Sequence, residues 1–183
     1  SSDHKLYAVN AHNGEKTWDF KAEGAFVGSP SVWNDTVYIG SFDHYLYAIN
    51  AKDGEMKWKY QGEDWFWTCP LVYHGNVYAG CFDHKLYAID ATRGTPKWEF
   101  TAGGVITSPP VVADNLLVIG SENGNIYGLD PDDGDLVRRF SLEAPILAPI
   151  CTSNGVVYVH TQNETIYALE IETGKQLWSF STT

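Results

Sequence analysis

The chain has 183 residues, of which 44% are hydrophobic, and its formal net charge is −11. This apolar content excludes an intrinsically disordered chain. The acidity and the lack of any lysine and arginine cluster argue against nucleic-acid binding, which needs a basic patch. No apolar run reaches the roughly 18 residues of a membrane-spanning helix. We therefore expect no nucleic-acid partner and no membrane span.

One motif recurs at forty-residue intervals along the chain. Its third copy runs from Leu86-Tyr87 through Gly94 and Trp98 to Phe100. The glycines of the five copies are Gly14, Gly54, Gly94, Gly134 and Gly174, and the tryptophans are Trp18, Trp58, Trp98 and Trp178. Arg138 stands at the tryptophan position of the fourth copy. A fixed period of this length is typical of a repeat architecture.

Each repeat is predicted to form four short strands, A to D. In the second repeat we place strand A at 26–33, strand B at 36–41, strand C at 45–50 and strand D at 55–60. Strand A includes a proline, as at Pro30 and Pro70, which suits a strand with one free edge. Between strands A and B lie turn pairs such as Asn34-Asp35, whose residues tolerate positive φ. Repeated four-stranded antiparallel units of this length predict an all-β fold, the β-propeller.

The chain is predicted to contain about four and a half blades in a single propeller segment, 1–183. Residues 1–21 supply a half blade with strands C and D, and 22–61, 62–101, 102–141 and 142–183 supply complete blades. A ring does not close on this number, so we expect a fragment of a seven- or eight-bladed ring whose natural N-terminus is missing. Open sheet edges can pair with another chain, and self-association through them is expected.

The pattern Ala-x-(Asp/Asn)-x-x-x-Gly-x-x-x-Trp, as at Ala48, Asn50, Gly54 and Trp58, resembles the tryptophan-docking motif of PQQ-like, quinoprotein-type propellers. The resemblance extends over essentially the whole chain and includes the BamB-like repeats. It implies that each indole packs across the junction between two adjacent blades. It also implies that the fourth junction, with Arg138, is the weakest.

This family contains enzymes and non-enzymes, so the fold does not decide the function. The resemblance implies that a dehydrogenase would hold PQQ with an adjacent cysteine pair and with Glu, Asn and Asp ligands around calcium. Cys69, Cys81 and Cys151 are scattered, and no calcium ligand matches. We therefore favour a non-catalytic, BamB-like scaffold that binds protein partners, has no cofactor, and lies in the periplasm, the cell envelope or outside the cell. One alternative is a PQQ-dependent dehydrogenase whose cofactor ligands lie on missing blades.

Trp65 and Trp67 depart from the repeat, where the corresponding positions hold smaller residues. Alternation along an extended strand puts both side chains on one side, with Phe66 between them in the core. We place them on the propeller face that carries the turns between strands B and C. There they would form an aromatic platform for a carbohydrate or peptide, a third function hypothesis, or fill a wide blade junction, which we favour.

Acidic residues and histidines occur at the turns between strands B and C on the same face. The predicted turn pairs are Asp3-His4, Asp43-His44, Asp83-His84, Glu122-Asn123 and Asn163-Glu164. We interpret them as turn residues and expect no shared metal, because each pair lies on a separate blade. The face should attract a basic partner through Glu23, Asp43, Glu63, Asp64, Asp83, Glu122 and Glu143. His44 and His84 would make that binding sensitive to pH.

Overall fold

The protein is described by a computed structural model over residues 1–142 and 144–182. Within that range the chain folds into antiparallel β-strands joined by turns. The strands are β1 (Lys5–Val9), β2 (Lys16–Lys21), β3 (Ser31–Trp33), β4 (Thr36–Gly40), β5 (Tyr45–Asn50), β6 (Met56–Gln61), β7 (Leu71–Tyr73), β8 (Asn76–Gly80), β9 (Lys85–Asp90), β10 (Pro96–Thr101), β11 (Val111–Ala113), β12 (Leu116–Gly120), β13 (Asn125–Leu129), β14 (Leu136–Ser141), β15 (Cys151–Ser153), β16 (Val156–Thr161), β17 (Thr165–Glu170) and β18 (Lys175–Ser181).

These strands form one hairpin and a series of four-stranded sheets, in chain order. The hairpin is β1–β2, and the sheets are β3–β6, β7–β10, β11–β14 and β15–β18. Neighbouring strands within each sheet follow one another in sequence and pair antiparallel. This is the β-propeller fold that the forty-residue period predicts.

The turns between strands A and B have the backbone that the sequence predicts. Asn34 and Asp35 have φ values of 47° and 55°, and His74 and Gly75 have φ values of 48° and 75°. Positive φ at both central residues belongs to the tight hairpin turn that matches the twist of its strands.

Strand A is shorter than predicted, and the prediction of 26–33 is wrong at its start. β3 begins at Ser31, so Pro30 precedes the strand, as Pro70 precedes β7. Proline has no N–H group to contribute to a ladder, and the segment before it makes isolated bonds to neighbouring turns instead. The amide of Phe42, for example, donates to the carbonyl of Ala25 at 3.0 Å. Strands B and D differ from the prediction by one residue at their ends.

The hydrophobic core lies between successive sheets. One cluster joins Tyr38 and Leu46 of the β3–β6 sheet to Val77 and Ile89 of the next, together with Phe66. Phe66 is only 1% exposed, in agreement with its predicted core position. Similar clusters join the hairpin to the first sheet and each later pair of sheets. The sheets are therefore stacked face to face through their buried side chains.

An indole crosses each of the first three junctions. Trp18 Nε1 donates to the carbonyl of Ala51 at 2.9 Å, Trp58 Nε1 to that of Ala91 at 3.0 Å, and Trp98 Nε1 to that of Pro131 at 3.1 Å. The three acceptors stand at the same position, just before the turn between strands C and D of the following sheet. The junctions are thus held by one repeated hydrogen bond.

The ring of each indole lies against the glycine of that same turn. A Cβ atom on Gly54 would lie 2.8 Å from the Trp18 ring, and a Cβ atom on Gly94 or Gly134 would lie 2.6 Å from the ring of Trp58 or Trp98. These glycines also have positive φ, 78° for Gly54. Glycine is required twice over, because a side chain would be strained at this φ and would displace the indole.

At two of these junctions a buried tyrosine supports the docked indole. Tyr38 donates its hydroxyl to the carbonyl of Ala91 at 3.0 Å, and Tyr78 donates to that of Pro131 at 2.8 Å. Each therefore shares its acceptor with the docked indole. Burial raises the pKa of the Tyr38 and Tyr78 hydroxyls, so both stay protonated as donors.

The fourth junction keeps the hydrogen bond and loses the ring. Arg138 donates from Nε and from a terminal guanidinium nitrogen to the carbonyl of Glu172, at 3.2 Å and 2.8 Å. A Cβ atom on Gly174 would lie 3.9 Å from Arg138 Cδ, so no ring covers this turn. Val118 stands where the second and third junctions have Tyr38 and Tyr78. This junction loses aromatic packing and gains a charged donor.

The last sheet and the first hairpin each carry half of the docking arrangement. Trp178 is 47% exposed, although it packs beside Tyr158 with ring centroids 6.1 Å apart, much as Trp58 packs beside Tyr38 at 5.8 Å. Gly14 has φ 74°, and a Cβ atom there would have no neighbour within 4 Å, so no ring in the described range covers this turn.

Trp58→Ala is expected to lower the free energy of unfolding by about 3 kcal/mol, the low end for removal of a large aromatic side chain, because this indole is half-buried. Trp178→Ala is the matched control and should cost less than about 1 kcal/mol, since its indole packs on no glycine turn among the described residues. Chemical denaturation followed by circular dichroism measures both. Equal losses in the two variants would contradict the docking role of Trp58.

Candidate functional site

The candidate site lies on the face where the B–C turns meet the segments that enter each sheet. Asp43 accepts hydrogen bonds from the amides of Glu23 and Gly24, at 3.0 Å and 3.3 Å, and from the hydroxyl of Tyr47 at 2.7 Å. Its other oxygen accepts from the amide of Tyr45 at 3.2 Å. The carboxylate therefore ties the B–C turn to the incoming segment.

Asp83 repeats this arrangement in the next sheet. It accepts from the amide of Glu63 at 3.2 Å, from the hydroxyl of Tyr87 at 2.6 Å and from the amide of Lys85 at 2.9 Å. Burial is the main cause that raises the pKa of the Tyr87 hydroxyl, and the hydrogen bond to Asp83 raises it further. The hydroxyl therefore stays protonated and acts as the donor. Asp43 and Asp83, predicted as partner-binding residues, thus have their carboxylates engaged inside the protein.

The histidines occupy the turns. His44 and His84 have φ values of 71° and 70°. His44 Nδ1 lies 3.2 Å from the carbonyl oxygen of Glu63, and His84 is exposed. In the part of the chain that the structure describes, no group of three or more His, Cys, Asp or Glu side chains could hold a metal ion.

The turn assignment in the fourth repeat is corrected by the structure. The left-handed residue is Gly124, with φ 82°, and Asn123 Oδ1 accepts from the amide of Asn125 at 3.1 Å. The turn pair is therefore Asn123-Gly124, not Glu122-Asn123. Its equivalents in the other repeats are Asp43-His44 and Asp83-His84, where histidine takes the position that glycine fills here.

Trp65 and Trp67 form an aromatic patch with Phe42 and Phe82. Phe42 stacks on Trp65 with ring centroids 4.6 Å apart and on Trp67 at 5.5 Å, with interplanar angles of 20° and 19°. Phe82 contacts the same indoles in tilted geometry, at 5.8 Å and 5.5 Å. Because Phe42 belongs to one sheet and Phe82 to the next, the patch crosses their junction.

The indoles of the aromatic patch remain accessible to solvent. Trp65 is 39% exposed and Trp67 is 38% exposed. The structure therefore combines the two sequence hypotheses, since the rings fill a blade junction and still present an apolar surface. Phe42 and Phe82 were missed from the sequence. The sequence does mark them: at the equivalent positions of the other repeats stand Ser2, Glu122 and Gln162, so only these two residues are aromatic.

Trp67 also lines an open cavity between the innermost segments of four sheets. This inner cavity has a volume of about 330 Å³. Its lining residues are Val27, Gly28, Ser29, Trp67, Thr68, Cys69, Thr107, Pro109, Leu147 and Pro149. None of them carries a charge. The cavity is a mostly apolar extension of the aromatic patch.

Carboxylates border the aromatic patch. Glu23, Glu63 and Glu122 are exposed, and Asp64 is half-buried with Oδ1 accepting from the amide of Trp65 at 2.7 Å. Lys85 lies beside this border and is already paired with Glu63 and Glu99, at 3.3 Å and 3.1 Å. Glu143, predicted to belong to the same face, lies outside the described residues. The border is acidic.

A family model described as "Outer membrane protein assembly factor BamB" matches the chain over residues 2–109 and 83–183. The chain belongs to the BamB family. The comparison with curated proteins gives no match. The described residues contain no helix with the length and apolar character needed to cross a membrane.

Solved structures similar to this BamB-family chain are β-propellers. BamB from Moraxella catarrhalis has a TM-score of 0.81 and 19% identity, covering 91% of this chain and 53% of its own. A quinohemoprotein alcohol dehydrogenase from Pseudomonas putida has a TM-score of 0.80 and 20% identity, covering 90% and 35%. The computationally designed protein Ika8 has a TM-score of 0.86 and 17% identity, covering 97% and 56%. At these identities the likeness establishes the fold, and the chain spans about half the length of BamB or Ika8.

Proposed function

We propose that this BamB-family propeller is a non-catalytic scaffold that binds a protein partner on the face carrying the aromatic patch. The observation that carries the proposal is the pair of accessible indoles, 39% and 38% exposed, held by phenylalanines from two sheets. An exposed apolar surface with a polar rim is typical of protein interaction sites. Asp43 and Asp83 fix the turns beneath it, so the surface is formed before a partner arrives.

The rival function, PQQ-dependent dehydrogenation, has less support in the residues present. PQQ is a polycarboxylate, and its calcium needs oxygen ligands that include carboxylates. The inner cavity offers neither a cationic side chain for PQQ nor a carboxylate for calcium, and the border of the patch would repel the cofactor. The chain also lacks an adjacent cysteine pair. We infer that these residues do not fit PQQ and that the protein works without a cofactor.

We place the protein in the cell envelope or periplasm, with a partner from the same compartment. The support is the family description and the likeness to the BamB of Moraxella catarrhalis. The acidic border favours a basic surface on that partner.

The scaffold proposal predicts a partner interaction that depends on the patch. Chemical cross-linking in an envelope extract, followed by binding measurements with the purified partner, should show at least about tenfold weaker binding for a Trp65→Ala, Trp67→Ala double variant, because two central aromatic anchors are lost. Trp33→Ala is the control, since Trp33 is also exposed, at 40%, but lies at the A–B turn. Saturable absorbance changes with PQQ and calcium, with dye reduction by an alcohol or sugar, would favour the dehydrogenase instead.

We also infer that the free sheet edges associate with a second copy of the chain. Trp178 of the last sheet is paired with Tyr158 in docking geometry, and the Gly14 turn of the first hairpin is open. An indole from one copy could pack on the glycine turn of another, as Trp58 packs on Gly94 within the chain.

Light scattering over a concentration series tests this association. The mass of the wild-type protein should rise with concentration, and Trp178→Ala should shift the rise to higher concentration because it removes the donor indole. Trp33→Ala should behave as wild type. A monomeric mass of the wild-type protein at every concentration would disprove the self-association.

A further inference from the structure

We propose that the aromatic patch binds an extended, positively charged peptide segment in which arginine alternates with apolar residues. This inference rests on the proposed scaffold function and names the chemistry of the partner. It follows from three properties of the patch: the orientation of its rings, the charge at its border, and the inner cavity next to it.

The rings provide a surface for stacking. Phe42 lies nearly parallel to both indoles, with interplanar angles of 20° and 19°, so the patch is ordered by its own contacts. Each indole keeps more than a third of its surface accessible. A ligand can therefore cover Trp65 and Trp67 without first displacing another group.

The border provides a net negative field. Lys85 is paired with Glu63 and Glu99, and Lys5 is paired with Asp19 at 2.8 Å. Lys21 and Lys59 line a separate pocket together with Glu23. Glu122, which stands in the next repeat at the position equivalent to Phe42 and Phe82, is exposed. The carboxylates of Asp43 and Asp83 are occupied by internal donors and contribute charge only. A cationic ligand would meet net attraction from the carboxylates of Glu63, Asp64 and Glu122.

Arginine matches this combination better than other cations. Its planar guanidinium stacks on an aromatic face and is weakly hydrated, and a cation over an indole gains cation–π attraction. The same group can donate two hydrogen bonds to one carboxylate, which Glu122 or Asp64 could accept. A lysine ammonium, which is more strongly hydrated, would gain less from stacking.

The inner cavity accounts for the apolar residues of the segment. Trp67 belongs both to the patch and to the lining of this cavity, where Val27 and Leu147 are 48% and 50% exposed. In an extended peptide, successive side chains point to opposite sides, so an apolar residue next to a stacked arginine can face the cavity.

The test uses a fluorescent peptide of sequence Gly-Arg-Val-Arg-Val-Gly and a twin in which citrulline replaces arginine. Citrulline keeps the shape and planarity and removes the charge. Fluorescence anisotropy with the wild-type protein should show the arginine peptide binding at least about tenfold more tightly than its twin at low salt. The difference should shrink as ionic strength rises from about 0.05 M to about 0.5 M.

Variants locate the binding site. The Trp65→Ala, Trp67→Ala double variant should lose at least about tenfold in affinity, and Glu122→Gln should lose several-fold, while Trp33→Ala binds as wild type. Circular dichroism verifies that each variant is folded. The comparison of the arginine and citrulline peptides uses only the wild-type protein, so it remains a valid test even if a variant fails to fold.

Equal binding of the two peptides, or no binding of either, would overturn the arginine proposal. Binding of a soluble glucan oligosaccharide in place of the peptide, unaffected by salt, would assign the patch to carbohydrate. In all three cases the scaffold function would survive if the cross-linked partner still required Trp65 and Trp67. If partner binding were instead unaffected by the double variant, the scaffold proposal for this face would fail as well.

Discussion

The structure depends on one contact repeated between successive sheets, in which an indole donates to a backbone carbonyl and covers a glycine. The hydrogen bond fixes the position of Trp18, Trp58 or Trp98 along the next sheet, at 2.9 to 3.1 Å from its acceptor. The ring then excludes water from the turn and seals the apolar layer behind it. A blade of four short strands could not bury its face alone. The indole therefore determines how each blade is held against its neighbour, and Arg138 reproduces only the polar half of the contact.

The regularity of this packing gives the candidate site its rigidity. Each B–C turn is tied by a carboxylate to the segment that enters the same sheet, as Asp43 is tied to Glu23 and Gly24. The fixed turns set the backbone position of the side chains beside them. Phe42 and Phe82 are held in this way, and they in turn order Trp65 and Trp67. The aromatic patch thus arises because a few side chains differ from the repeat while the backbone beneath them keeps the repeated conformation.

Much of the fold could be predicted from the sequence, because the relevant interactions are local or repeat with the chain. The forty-residue period predicts the blades. Asn34-Asp35 predicts a tight turn, because these residues tolerate positive φ. The length of strand A could not be predicted, since residues before Pro30 bond to turns that are distant in sequence. The partners of Asp43, Asp83 and the two indoles were likewise set by tertiary packing. The positions of acidic residues near the turns between strands B and C could be read from the sequence, but not which carboxylates are engaged by internal donors.

The most direct measurement of the docking contact compares alanine at two glycines of the same backbone conformation. Gly14 and Gly94 have φ values of 74° and 70°, but only at Gly94 would the new Cβ meet an indole, 2.6 Å from Trp58. Both variants carry the cost of a left-handed alanine, about 1 kcal/mol. Gly94→Ala should lose about 2 kcal/mol more in the free energy of unfolding, because the ring must move off the turn. Equal losses would mean that the indole and the glycine turn do not hold the blades together.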